Sequence, residues 1–271
     1  MIPPYRLKLR SSQKMKTFNS MYTNRFASQF RRLLSIQTAS TPNDNALKFI
    51  TKGVRLLPPH IQKSTIEIDD LASATERSPL ALQLFKVPGV KSILIGDDFI
   101  TVNKVDEKLS NSDHSRWQFL KPQIINVIDR SLSKNSEKKV NVLTPQFLEN
   151  ISNVHHDDYI VSQEPLDTDD DVTYEIKELI NTRIRPAIQD DGGDVQFRRF
   201  DPDTGIVYIK LKGACKSCSL SDETLKHGIE SMLQHYVEEV KEVKAILDPE
   251  EEISLKEFEK LEKKLMSRST V

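Results

Sequence analysis

Apolar positions along the chain change period several times, and each change predicts an element. Leu47-Lys48-Phe49-Ile50 and Ser64-Thr65-Ile66-Glu67-Ile68 read as short strands. At Ser78-Pro79 the period lengthens. Leu80, Leu82, Leu84 and Phe85 predict a helix with serine at the N-cap and proline at its first position, ended by Pro88-Gly89. Ser92-Ile93-Leu94-Ile95 and Phe99-Ile100-Thr101-Val102 flank Gly96-Asp97-Asp98, a hairpin pattern. Trp117, Leu120, Ile124, Val127, Ile128 and Leu132 then recur at spacings of three and four, a second helix interrupted by Pro122. Trp117 is expected in the core, and the adjacent carboxylates Asp97 and Asp98 read as turn chemistry.

The pattern dissolves over 134–171, which is polar, rich in breakers and ends in Leu166-Asp167-Thr168-Asp169-Asp170-Asp171. Only Pro145 to Ile151 is amphipathic there, and His155-His156-Asp157-Asp158 reads as a solvated run. From Val172 the periodicity returns. Ile176, Leu179, Ile180 and Ile184 form one helical face, and Pro186 bends or ends that helix. Gln189-Asp190-Asp191-Gly192-Gly193-Asp194 is a turn whose glycines can take positive φ. Val195 and Phe197 alternate along a strand, and Asp201 to Gly205 makes a hairpin loop. Val207, Ile209 and Leu211 face one way along the next strand, opposite Tyr208, Lys210 and Lys212. Ser219 and Asp222 fit a capping spacing. Leu225, Ile229, Met232, Leu233, Tyr236, Val237 and Val240 then form one helical stripe. Val243-Lys244-Ala245-Ile246-Leu247 returns as a strand. The charged tail after it carries Ile253, Leu255, Phe258, Leu261 and Leu265 and reads as a solvated or loosely docked helix. The expected fold class is α/β (α+β), with two small two-layer domains, the second ordered helix-strand-strand-helix-strand.

Composition narrows the function classes. The 39 basic residues nearly balance the 40 acidic ones for a net charge of −1, which gives no case for nucleic-acid binding by the whole chain. No apolar run approaches the ~20 residues of a membrane span. The start of the chain departs from this balance. No Asp or Glu precedes Asp44, while Arg6, Lys8, Arg10, Lys14, Lys16, Arg25, Arg31 and Arg32 stand among serines and threonines. Phe26, Phe30, Leu33 and Leu34 give the stretch an amphipathic character. An acid-free, basic, amphipathic start reads as a mitochondrial transit peptide, with a basic arm as the alternative.

The chemistry concentrates in Gly213-Ala214-Cys215-Lys216-Ser217-Cys218, between a strand and a helix. Cys215 and Cys218 are the only cysteines among 271 residues. Two thiols can form a disulfide or share one metal atom, but they cannot complete a four-thiolate shell. The following helix N-terminus, with Lys212 and Lys216 nearby in sequence, is expected to favour thiolates. Three readings follow. One is a thiol–disulfide oxidoreductase, which the Lys-Ser pair between the cysteines and the lack of a preceding βαβ unit disfavour. Another is a zinc-binding interaction module, for which His227 and His235 are poorly placed along the helix. The third pools the cysteine pairs of two chains into one site. No general base, activated nucleophile or phosphate loop is recognisable, so no enzyme activity is expected.

Four motifs occur in order: Arg185-Pro186, Asp191-Gly192-Gly193-Asp194, Gly213-Ala214-Cys215-x-x-Cys218, and Thr224-Leu225-Lys226-x-Gly228-Ile229-Glu230. Together they resemble the C-terminal domain of the Nfu (NifU C-terminal-like) iron–sulfur scaffolds. Phe85, Pro88-Gly89-Val90, the run from Ile95 to Val102 and Trp117 resemble the N-terminal domain of the mitochondrial members. One departure is Ser219, where many relatives carry proline. The resemblance implies five segments. They are a disordered transit peptide over 1–43, an Nfu N-terminal-like domain over 44–133, an acidic linker over 134–171, the iron–sulfur domain over 172–247 and a charged tail over 248–271. It further implies a mitochondrial matrix protein that binds a [4Fe–4S] cluster, with [2Fe–2S] as the alternative, through Cys215 and Cys218 of two subunits. Implied partners are a second copy in a cluster-bridged homodimer, upstream assembly factors, and recipients such as lipoyl synthase, aconitase-like and respiratory enzymes. Neither nucleic acid nor membrane insertion is implied.

Overall fold

A computed structural model describes residues 36–61, 64–106, 115–134, 142–153, 163–216 and 221–247. Five strands build the first sheet: β1 (Ile36–Ser40), β2 (Ala46–Thr51), β3 (Ile66–Ile68), β4 (Val90–Ile95) and β5 (Phe99–Lys104). Their order is β1-β2-β5-β4-β3, and every neighbouring pair is antiparallel. β1 lies inside the stretch read as leader, so folded chain begins ahead of Asp44. Its sequence, Ile-Gln-Thr-Ala-Ser, is too short and polar to announce a strand; pairing with β2 makes it one.

Alternation divides the sheet cleanly. Phe49, Ile66, Ile68, Ile93, Ile95, Ile100 and Val102 are buried on one face. The helices α1 (Leu71–Arg77), α2 (Pro79–Phe85) and α3 (Trp117–Lys134) supply the other half of that core, through Ala74, Leu80, Leu84, Leu120, Ile124 and Ile128. Ser78 caps α2 as its sequence predicts, accepting from Ala81 N at 3.1 Å, and its hydroxyl also donates to Val142 O at 2.7 Å. The first helix, α1, has no clear apolar period and was not anticipated; Asp70 caps it by accepting from Ser73 N at 2.8 Å. Trp117 corrects the expectation of a core residue. It is only half-buried, and its indole nitrogen donates to Asp44 O at 2.8 Å.

The short helix α4 (Pro145–Asn153) forms where the linker is amphipathic. Beyond it, α5 (Asp171–Leu179) passes through a widened π segment, Ile180–Ile184, into α6 (Arg185–Asp190). Pro186 therefore does not end the helix. A proline lacks the N–H that closes an ordinary turn and crowds the preceding carbonyls. The π segment opens the spiral just before it, with Arg185 N–H reaching back to Ile180 O.

The second sheet is β6 (Gly193–Asp201), β7 (Ile206–Gly213) and β8 (Glu242–Ala245), in that order. β6 and β7 are antiparallel, and β7 and β8 parallel. The crossover between the latter two is α7 (Ser221–Tyr236). Ile176, Ile180, Ile184 and Ile188 meet Val195, Val207, Ile209, Ile229, Leu233 and Val237 in one core. The expected helix-strand-strand-helix-strand order holds. Met232 and Tyr236 leave the predicted apolar stripe, however, and are exposed. Tyr236 instead accepts from Arg183 Nη1 at 2.8 Å, beneath its guanidinium. The two α/β layers pack on each other, and the described residues form one compact unit. No helix among the described residues is long and apolar enough to cross a membrane.

Candidate metal centre

Strand β7 delivers the cysteine turn. Its last residue, Gly213, pairs with Gly193, the first residue of β6. The chain then folds over through Ala214, Cys215 and Lys216, with Lys216 N donating to Gly213 O at 3.3 Å. Beside it lies the loop Asp191-Gly192-Gly193-Asp194, whose Gly192 carbonyl accepts from Ala214 N at 3.3 Å.

Glycine is required here for two separate reasons. Gly192 and Gly213 have φ of 80° and 65°, a region that side-chain-bearing residues rarely occupy. Gly193 has ordinary backbone angles, but there is no room beside it. A Cβ there would overlap Cys215 Sγ and lie 3.1 Å from Lys212 O. The cysteine sulfur is thus packed on bare backbone. Cys215 is 8% exposed and belongs to the core of the second layer. Gly193, read from the sequence as a turn former, has this second role, which only spatial proximity reveals.

Cys218 lies outside the described residues, as do Ser219, Leu220, the His155-His156-Asp157-Asp158 run, the tail beyond Leu247 and the leader up to Ser35. His227 and His235 are exposed on α7, and His227 Nδ1 stands 3.7 Å from Glu230. Among the described residues, no group of three His, Cys, Asp or Glu side chains is placed to hold a metal ion.

The lysines near the turn have carboxylate partners from the first layer. Lys216 Nζ lies 2.7 Å from Asp69 Oδ2 and 3.6 Å from Glu67 Oε2. Lys210 stands 3.9 Å from the same Glu67. Lys212 is buried, and burial holds its ammonium below the usual lysine range, with Asp194 and Glu67 pulling the other way. Burial likewise pushes the Glu67 carboxyl up, Asp69 adds to this, and Lys216 opposes it. These cations therefore face carboxylates, which weakens any pull they exert on the thiol.

A second buried network holds the glycine loop. Arg185 Nε lies 3.2 Å from Asp194 Oδ1, and Arg185 also donates to Val195 O at 3.0 Å and Asn181 Oδ1 at 2.7 Å. Asp194 accepts from Thr65 Oγ1 at 2.5 Å and from Gln189 Nε2 at 3.4 Å. Arg185 and Asp194 come from motifs visible in the sequence. Thr65, Glu67, Asn43 and Asn103, which reach the same region from the first layer, gave no such signal, because strand alternation alone does not say what covers a polar face.

Two family models match the chain. One, described as "NifU-like domain", covers residues 176–244, and the other, "Scaffold protein Nfu/NifU N terminal", covers 36–135. The chain is 45% identical over 241 residues to the "NifU-like protein, mitochondrial" of Saccharomyces cerevisiae, spanning 88% of this chain and 90% of that one. It is 42% identical over 263 residues to a NifU-like protein of Schizosaccharomyces pombe, spanning 95% and 92%. It is 41% identical over 219 residues to the human "NFU1 iron-sulfur cluster scaffold homolog, mitochondrial", spanning 81% and 74%.

Proposed function

Because the chain belongs to the mitochondrial NifU-like (NFU1-type) family of iron–sulfur cluster scaffold proteins, we propose that two copies hold one cluster between them through Cys215 and Cys218. The observation that carries this reading is the ligand count. One chain brings two thiols, and Cys215 sits on a turn at a strand end. A [4Fe–4S] cubane is normally held by four thiolates, so a second chain completes the shell; [2Fe–2S] has the same ligand need.

The cluster is cargo. With two ligands per chain, three positions apart in sequence, a recipient's thiolates can replace them one at a time, and each exchange leaves the iron coordinated. Recipients would be mitochondrial apo-proteins of the lipoyl synthase, aconitase-like and respiratory classes, loaded after upstream assembly factors. Residues 172–247 would carry the cluster, the layer ahead of the 134–171 linker would accompany it, and the stretch before the first strand would direct import. Support comes from the thiol count, the acid-free start and the family membership. No bond to substrate needs to be made by a protein base or nucleophile, so the role is carriage and not catalysis.

The test is anaerobic reconstitution with iron and sulfide, followed by light scattering on a sizing column and metal counts. One cluster per two chains is expected, with stripping returning smaller species. A monomer holding a full cluster in thiol-free buffer would sink the two-chain site. Tight zinc without a chromophore, or disulfide turnover by iron-free monomer, would favour the other two readings.

A further inference from the structure

One directly paired row crosses the first sheet: Glu67 on β3, Leu94 on β4, Thr101 on β5 and Lys48 on β2. It lies on the face opposite the helices, and it meets the two loops of the cysteine site. Lys48 Nζ donates to Gln189 O at 2.9 Å and Asp190 O at 3.3 Å. Thr101 Oγ1 would be 3.0 Å from a Cβ on Gly192, and Leu94 Cδ2 2.6 Å from one on Gly213. Glu67 Oε1 accepts from Gly213 N at 2.9 Å. Two asparagines extend the contact. Asn103 Nδ2 donates to Gly213 O at 3.3 Å, and Asn43 Nδ2 donates to Ala214 O at 2.9 Å. Side chains of the first layer thus serve the backbone groups of the residues just before Cys215.

This seam is polar and incompletely satisfied. Thr101 Oγ1 and Asn103 Oδ1 are buried there without a hydrogen-bond partner. Each such atom favours separation, because water would satisfy it. The carbonyls and carboxylates across the seam would also be solvated on opening. Contacts of this composition resemble transient interfaces, for which relative domain motion is the default. Meanwhile the docked turn keeps Cys215 at 8% exposure, with its sulfur on Gly193. A thiol buried to that degree is shielded from a partner in solution, and the turn cannot swing outward while Gly213 and Ala214 are tied to the sheet.

We infer that the first sheet is a releasable latch on the cysteine turn. Docked, it holds Cys215 in a thiol-in form; undocked, it frees the turn to take a cluster and meet a second chain. The thiol-in half stands on the packing around Cys215 alone, while the gating of cluster uptake rests on the two-chain site proposed above.

The test uses the full apo chain carrying Cys218→Ser, so that Cys215 is the one thiol, and follows its alkylation by iodoacetamide with mass spectrometry. Lys48→Met and Thr65→Val together remove donors to Gln189 O, Asp190 O and Asp194 with little change of shape. Their loss penalises only the docked form. Alkylation is expected to rise about tenfold, the factor for ~1.4 kcal/mol, while the thermal transition stays cooperative. An unchanged rate in the folded double variant would overturn the latch. Hydrogen exchange in the unsubstituted chain gives a second reading that needs no variant. The Gly213 amide should exchange through an opening less costly than that of Val207 and Ile209 in the middle of β7. Equal protection would mean that the seam parts only on global unfolding, and the latch would fall. Faster alkylation without cluster-linked pairing would support the latch and remove the two-chain site.

Discussion

Gly193→Ala probes the tightest contact in the cysteine site. The backbone at 193 is not in the left-handed region, so alanine causes no φ strain there. The added methyl meets Cys215 Sγ, with Lys212 O at 3.1 Å and Cys215 Cβ at 3.2 Å behind it. A thiol can escape only by turning about χ1 into surroundings already filled by the core. Overpacking of this kind costs about 1–3 kcal/mol. The restricted unfolded chain returns about 0.4–1 kcal/mol. The net expectation is a loss of ~1–2 kcal/mol, or roughly 2–8 °C in the melting temperature of a unit this size. The decisive assay is a double-mutant cycle with Cys215→Ala, read by urea denaturation of the apo protein. If the sulfur is the obstacle, the alanine penalty at 193 should shrink by about 1 kcal/mol once the sulfur is gone. Penalties that add to within ~0.3 kcal/mol would show that Gly193 is not there to seat the cysteine, and the steric reading would fail.

Cys215→Ser exchanges a polarisable sulfur for a hydroxyl within an apolar cluster, so the apo chain should lose ~1 kcal/mol yet keep a cooperative transition; loss of cooperativity would make the cysteine structural. Asp170 caps α5 by accepting from Thr173 N at 2.9 Å, and its hydrogen bonds with Thr173, side chain first and then backbone, hold its carboxyl below the ordinary 3.8. A depressed carboxyl contributes stability that is present above pH 3.8 and lost as pH falls through its folded value. Asp170→Ala should therefore cost ~1 kcal/mol at pH 7 and less at the acid end of that window, and a cost that did not fall on acidification would refute the contribution of the ionised cap. Residues 1–35 fused to a reporter should carry it into mitochondria, and a cytosolic reporter would remove the leader reading.

Local order was largely written in the sequence. The spacing of Ile176, Leu179, Ile180 and Ile184, the alternation through Val207, Ile209 and Leu211, and the Ser78-Pro79 start report which face of an element avoids water, and that preference is local. The thiol pair was equally plain, because two cysteines in a chain are simply counted. Elements whose stability comes from elsewhere were not legible. β1 is polar and short and exists through its pairing with β2; the π segment answers a proline whose effect the packed isoleucines override. The carboxylate partners of Lys212 and Lys216 were hidden for the same reason. Sequence proximity set them beside the thiols, whereas tertiary contacts bring Glu67, Asp69 and Asp194 to them from other elements. What only the folded chain decided is the state of the site itself. Whether Cys215 faces water or bare glycine backbone depends on residues more than a hundred positions away, such as Asn43 and Asn103. Those residues carry no periodic signature, since a polar face open to solvent and a polar face docked on a loop are the same string of letters.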